Sequence, residues 1–419
     1  MDSDRKNILY DTRPLGYLPM HRFKQVIRPT NIITDNISRI PMREIPLFKA
    51  AFGDYGPSIQ QRRLGGKKEP IVRAIQEVLL ELAPVREGCI VESRPPIIED
   101  PENEFVRKAL AFLPVNADRI SATKAPVPDN PLVLTRHIKC LGYILRADIV
   151  GVCKIPEYAW YSQDLQGNPI QKNYEYAILF VFGKHLPTVE ASTGFDWIVE
   201  TLSYEVYLHS AFVSRVVAEY IKNLGYAASA QHTLKMGGAQ GGFEGMLPPL
   251  LLWAGIGEVC RAGIILNPYL GADYKASAVL TNLPLIPDGP IDFGLQDFCY
   301  HCKRCADACP SNAISHSDKV MYNGYETWKI NEKRCTSFNI MNTKGSFCLM
   351  CTKVCPWTRP TTWEHNLARH AFKRSSIARR VSIWAEKYLH HGEPHYQEKW
   401  WFDLAKSNGG YQVPPKASE

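Results

Sequence analysis

Eight of the twelve cysteines in this 419-residue chain fall within 57 positions, from Cys299 to Cys355. The first group reads Cys299-x2-Cys302-x2-Cys305-x3-Cys309-Pro310, the second Cys335-x12-Cys348-x2-Cys351-x3-Cys355-Pro356. A secreted disulfide framework spreads its cysteines along a short chain, so this clustering is of another kind. Zinc sites share Cys-x2-Cys but lack the third closely spaced cysteine and the Cys-Pro ending. Spacings this short wrap a loop around an iron–sulfur cubane, and the proline turns the chain away after the last ligand.

The order is that of two-cluster bacterial ferredoxins, with the opening cysteine of the second group moved upstream. In that arrangement the fourth cysteine of each run ligates the other run's cluster. The expected ligand sets are Cys299, Cys302, Cys305 and Cys355 for one 4Fe–4S cluster, and Cys309, Cys335, Cys348 and Cys351 for the other. Cys89, Cys140, Cys153 and Cys260 read as ordinary buried cysteines. Two clusters imply electron transfer without saying to what.

Composition narrows the partners. Apolar residues make up 45% and charged ones 22%, the balance of a globular protein with enough chain to bury a core. A net charge of +7 is too mild to require nucleic acid. The most apolar stretch, Gly245 to Cys260, contains two prolines, ends near Glu258 and is too short to span a bilayer. The N-terminus has no apolar signal core, and Arg62-Arg63 lies too far in for a twin-arginine signal. A cytoplasmic location is expected, or the outer face of the membrane if a signal has been removed.

Along the chain, apolar spacing predicts a helix over Ile71–Leu82 and strands over 147–155, 176–182 and 277–283. Between Thr201 and Leu224, Leu208, Phe212, Val216, Tyr220 and Leu224 recur every four residues, with Val213, Val217 and Ile221 widening the stripe and Gly225 as a C-terminal cap. Strands alternating with helices imply an α/β (α+β) core before the cysteine region. The expected divisions are an N-terminal extension (1–130), a catalytic core (131–290), a ferredoxin-like region (291–360) and a helical C-terminal segment (361–419). Arg369, Lys373, Arg374, Arg379, Arg380 and Lys387 read as a solvated basic helix face, and Trp400-Trp401-Phe402 as a tail packed on the main domain.

Around the cysteines, Leu280–Pro310 (LTNLPLIPDGPIDFGLQDFCYHCKRCADACP), Gly255–Arg261, Asn267–Gly271, Asn323–Tyr325 and Lys353–Trp357 resemble the reductive dehalogenases, corrinoid iron–sulfur enzymes. The likeness covers roughly residues 140 to 360. It implies a nitroreductase-like fold holding a base-off cobalamin, with two 4Fe–4S clusters passing electrons to cobalt. The chain has no Asp-x-His-x2-Gly, which accords with a missing lower histidine ligand.

The family's proton donor is a Tyr near the start of the helix that ends in a Leu-Gly-Tyr turn, here Leu224-Gly225-Tyr226. That implies Tyr207, with Tyr204 as fallback one turn earlier. Lys275 stands where relatives carry a cation that favours the phenolate. Arg261 is expected to contact a corrinoid side chain or cap local structure, and Gly257 and Gly271 to let backbone approach the corrin. The implied substrate is an organohalide, with a halogenated aromatic as the suggested class, since signal-less relatives act on halophenols. Some of those carry an Arg after the second group's first cysteine, whereas this chain reads Thr336-Ser337-Phe338-Asn339 there. A ferredoxin or flavoprotein reductase would supply electrons, and a membrane-anchor partner enters only with a removed signal. Two other readings are an epoxyqueuosine-reductase-like enzyme acting on a tRNA base and a two-cluster electron carrier. The first needs an Asp donor, and none lies between Trp197 and Leu224.

Overall fold

Four strands pair into the central sheet of the computed structural model: β1 (Ile149–Lys154), β2 (Tyr176–Gly183), β3 (Ala228–Gln231) and β4 (Tyr274–Thr281); β3, which reads ASAQ, carries no apolar signal. The structure describes residues 15–64, 120–233, 244–342, 347–385, 388–389, 391–403, 405–407 and 410–412. The helix expected over Ile71–Leu82, Cys89 and Lys387 lie outside these residues. The strand order is β1-β2-β4-β3, and every pairing is antiparallel. The mixed helix-and-sheet expectation therefore holds in its α+β form. The central strand β2 is buried on both faces, which is why it reads as the unbroken run YAILFVF. The fourth strand begins at Tyr274, earlier than the apolar run implied, because its ladder with β2 runs from Gly183↔Tyr274 to Tyr176↔Thr281.

Helices cover one face. The first, α1 (Pro131–Ile144), starts at Asn130, whose side chain accepts the Leu132 N–H, with Pro131 in the first turn. The second, α2 (Ile198–Asn223), ends as predicted at Gly225 (φ 87°). There the Tyr226 N–H donates to Ile221 O and the Gly225 N–H to Lys222 O, satisfying carbonyls the helix leaves open. The buried stripe of α2 is Val206, Val213, Val217 and Ile221, packed on Ile178, Phe180, Phe182 and Val279. Leu208, Phe212, Val216 and Tyr220, the expected centre of the stripe, are only half-buried shoulders. A four-residue period drifts around a 3.6-residue helix, so the sheet selected the neighbouring row.

The opposite face carries the cysteine region. A hairpin of Glu258–Val259 and Ile265–Leu266, with Phe293, Phe298 and Trp357, shares one core with Leu179, Val181 and Leu280. Helices α3 (Leu295–Cys302) and α4 (Glu332–Met341) hold cysteines of the two runs. The N-terminal part is tied to the same side, where Lys24–Gln25 pairs with Ile291–Asp292 and Ile33 bridges to Tyr325.

Beyond the cysteines come α5 (Trp363–Arg374) and α6 (Ser376–Ala385). The solvated basic face expected here needs correction in two places. Arg369 is buried and donates to Arg359 O at 2.6 Å and Tyr269 O at 3.3 Å, and Arg379 reaches Asp297 of α3 at 2.6 Å. Both hold the C-terminal helices onto the body. Trp401 is buried while Trp400 and Phe402 are exposed, and Trp197 Nε1 donates to Phe402 O at 2.9 Å. Among the described residues no helix is long and apolar enough to cross a membrane.

Candidate active site

The fourth cysteine of each run sits with the other run. Cys299, Cys305 and Cys355 lie close enough to act on one another electrostatically, and Cys302 acts on Cys305 and Cys355. Cys348 and Cys351 face Cys335 and Cys309. Burial pushes the Cys299, Cys305, Cys351 and Cys355 thiols well up, and their neighbours push them further. Cys309 is the exception: burial raises it, but hydrogen bonds from Ser311 and from backbone N–H groups, Ala313 N at 3.3 Å among them, bring it below the usual thiol range. Sets of buried sulfurs that repel one another need positive charge at their centre, so the donor set fits iron.

Glu258 and Arg261 anchor this region from the hairpin. The buried Glu258 carboxylate accepts Phe293 N–H at 2.9 Å and Gln296 Nε2 at 3.3 Å, and it also accepts from Thr30. It sits at the start of α3, where a helix presents unpaired N–H groups. Burial raises its pKa, and those hydrogen bonds oppose the rise. Arg261, 1% exposed, donates to Cys299 O, Ser315 O, Ser317 O and Tyr300 O at 2.8–3.2 Å. Its guanidinium also stacks over Trp328 at 4.9 Å. Its donors all go to main-chain carbonyls of the cysteine region. Gly257 and Gly271 likewise meet protein rather than open space. A Cβ on Gly257 would sit 2.0 Å from Leu266 O, and one on Gly271 (φ 63°) 2.2 Å from Thr358 Oγ1. Chain packing thus accounts for both glycines.

On the other side of the sheet, Tyr207 of α2 meets Lys275 of β4. Strand parity explains the meeting. Lys275 pairs with Phe182, and both project to the face that α2 covers, as do Phe180, Ile178 and Val279. Lys275 Nζ lies 4.7 Å from the centre of the Tyr207 ring and hydrogen-bonds the hydroxyl, as does Thr233. Burial pushes the Tyr207 phenol up, but the charge and hydrogen bond of Lys275, the charge of Lys184 and the bond to Thr233 outweigh it and bring it below the usual value. A phenol so placed is a stronger acid than free tyrosine. Tyr204 packs edge-on against Tyr207 (6.5 Å) and Phe347 (5.9 Å). Lys275 also lies 5.9 Å from the Phe347 ring, and Phe347 is the chain neighbour of Cys348. Tyr207, Lys275 and one sulfur set are therefore brought together by tertiary structure.

Several buried polar atoms near these residues lack a hydrogen-bond partner within the protein. Thr193 Oγ1, Asp196 Oδ1 and Thr201 Oγ1 by the start of α2, and Ser337 Oγ and Asn339 Oδ1 on α4, are buried without a partner. The two segments touch, with Phe195 and Phe338 6.3 Å apart and Asn342 Nδ2 donating to Phe195 O at 2.7 Å. A macrocycle fringed with amides fits such a set of orphaned polar atoms. Sequence reasoning missed Glu258, Thr233 and the buried pair Lys184–Asp273. Ionisable residues beside apolar runs could have flagged Glu258, Lys184 and Asp273, while no local signal marks Thr233.

Residues 298–358 match the 4Fe-4S dicluster domain family. Among curated proteins, the tetrachloroethene reductive dehalogenase of Dehalobacter restrictus is 36% identical over 176 residues, covering 39% of this chain and 30% of that protein. The tetrachloroethene reductive dehalogenase of Sulfurospirillum multivorans is 26% identical over 300 residues, covering 63% and 57%. Among solved structures, the catabolic reductive dehalogenase NpRdhA in complex with 3-bromo-4-hydroxybenzoic acid superposes with a TM-score of 0.82 at 30% identity, covering 99% of this chain and 55% of that one. The chain thus spans less than two thirds of these relatives' length.

Proposed function

As a relative of the reductive dehalogenases carrying their fold and a 4Fe–4S domain, this chain, we propose, removes halide reductively from an organohalide, with halogenated aromatics the favoured class. The observation that carries the reading is Tyr207, a phenol made acidic by Lys275 beside the Phe347–Cys348 corner of the sulfur sites. The overall reaction takes two electrons and one proton: R–X becomes R–H and halide is released.

In this reading the two cysteine sets hold two 4Fe–4S clusters, which bring low-potential electrons from an external ferredoxin or flavoprotein donor. A corrinoid bound against Tyr207, Thr193, Thr201, Ser337 and Asn339 would supply the reactivity toward the carbon–halogen bond. The protein's own part is proton delivery. Tyr207 holds the proton on its Oη and gives it to the substrate carbon, and Lys275 stabilises the phenolate left behind. Tyr204 and Phe347 line the same corner with aromatic surface and limit water there. The aromatic preference is supported by the solved relative's bound bromohydroxybenzoic acid, at 30% identity over nearly the whole of this chain.

The test is cobalt and iron content on anaerobically reconstituted protein, then halide release with a low-potential donor from halophenols and chloroalkenes. About one cobalt and about eight irons per chain, with halide appearing from halophenols, is the expected result. Tyr207→Phe should lose turnover, by a factor on the order of 100 or more, with both metals retained. Bound cobalt and iron without halide from any substrate would overturn the reading, and iron without cobalt would leave an electron carrier.

A further inference from the structure

Behind Tyr207 and Lys275 lies a second ionic pair that the proposed reaction does not yet use. Lys184 Nζ stands 2.8 Å from Asp273 Oδ1, with side chains 1% and 2% exposed. The two residues extend the β2–β4 ladder one step past Gly183↔Tyr274, and the Lys184 N–H donates to Asp273 O. By the same parity that aims Lys275 at α2, Phe182, Lys184, Asp273 and Lys275 all project to the α2 face. Asp273 Oδ2 is buried with no hydrogen-bond partner, so the pair is not closed on itself.

Burying an ion pair is costly, and replacing one with apolar side chains is often neutral or stabilising, so stability alone is weak reason for this pair. Its surroundings give a better one. Burial lowers the pKa of Lys184, Asp273 holds it up, and the charge of Lys275 lowers it again, while Lys184 in turn acts on Tyr207. The ionisable and polar groups at this point are Asp273 just before β4, Lys275 of β4 and Tyr207 of α2, with Thr233 after β3 bonded to Tyr207. His209 of α2 packs edge-on against Phe182, 4.9 Å away.

We propose that Lys184 and Asp273 are a positioning pair for proton delivery: Asp273 keeps Lys184 charged inside the core, and Lys184 holds a second positive charge behind Tyr207 that completes the field set by Lys275. This rests on Tyr207 being the donor, but it is tested without turnover. The full-length protein is labelled with 13Cζ-tyrosine, and the Tyr207 signal is assigned by its loss in Tyr207→Phe. Lys184→Met combined with Asp273→Asn leaves no unpaired buried charge. In that variant the Tyr207 titration should shift upward, whereas Lys184→Arg should keep it near wild type. A role in packing alone predicts no such split between the double variant and the arginine. If the double variant does not fold, Asp273→Asn reads the same charge, because buried Lys184 without its carboxylate becomes neutral and Tyr207 again shifts up. An unmoved Tyr207 titration in a folded variant overturns the proposal, whatever the halide assays show. Full activity of Tyr207→Phe would instead overturn the donor assignment and leave the electrostatic coupling measurable.

Discussion

At the scale of single residues, Tyr207 shows how an ordinary phenol is tuned for the task proposed for it. A free phenol titrates near ~10 and donates a proton weakly at neutral pH. Burial alone would make Tyr207 weaker still, and the cations from β4 and from the end of β2 reverse that. Because the folded pKa is lowered, the protonated acid is lost as pH rises through a value below that of free tyrosine. Halide release by the wild type should therefore fall on the alkaline side before pH ~10. In Lys275→Met this alkaline limb should move to higher pH as the maximal rate drops; a limb that stays in place would assign the titration to another group. Gly257 makes a structural counterpart. Its missing Cβ leaves space for the Leu266 carbonyl, so Gly257→Ala should cost ~3 kcal/mol or more in denaturant unfolding.

At the scale of elements, the site depends on how helices begin. Asn331 caps α4 by accepting the Arg334 N–H at 3.0 Å, and its carbonyl accepts the Cys335 N–H at 3.1 Å. One residue thus fixes the entry angle of the helix and the position of its cysteine. Asn331→Ala should lower stability by about 1 kcal/mol and speed iron release to a chelator, read by loss of visible absorbance. Glu258 does the equivalent for α3 from outside the helix, accepting the Leu295 N–H at 3.4 Å. For α2 the sequence period located the helix and its Gly225 end, while the burial of Val213 and Val217 rather than Phe212 and Val216 was settled by the sheet. Residues three and four apart share a face, so two adjacent rows compete and only the packing partner chooses between them.

At the scale of the molecule, the crossing of the two cysteine runs ties the region into one unit. Cys355 stands with Cys299 and Cys305, and Cys309 with Cys335 and Cys348. Cys355→Ser should therefore reduce iron from about eight to about four per chain, leaving one set of cluster signals in low-temperature EPR. Loss of all iron despite intact protein would mean that the sets assemble only together. The core that contains Trp357 and Phe298 also contains Leu179 and Val181 of the sheet, so iron loss should lower the melting temperature of the whole chain in calorimetry. The sequence by itself determined the cysteine sets, the helix with its glycine end, the two central strands and the pair Tyr207 and Lys275. Each rests on a local signal: a ligand spacing, a period, a cap or a family motif. Tertiary structure alone decided that Arg261 turns into the cysteine region, that Arg369 is buried and that Lys184 and Asp273 stand behind the acid. Those outcomes depend on which faces of distant segments meet. A charged side chain looks alike in sequence whether water or a buried partner awaits it, and only the fold says which.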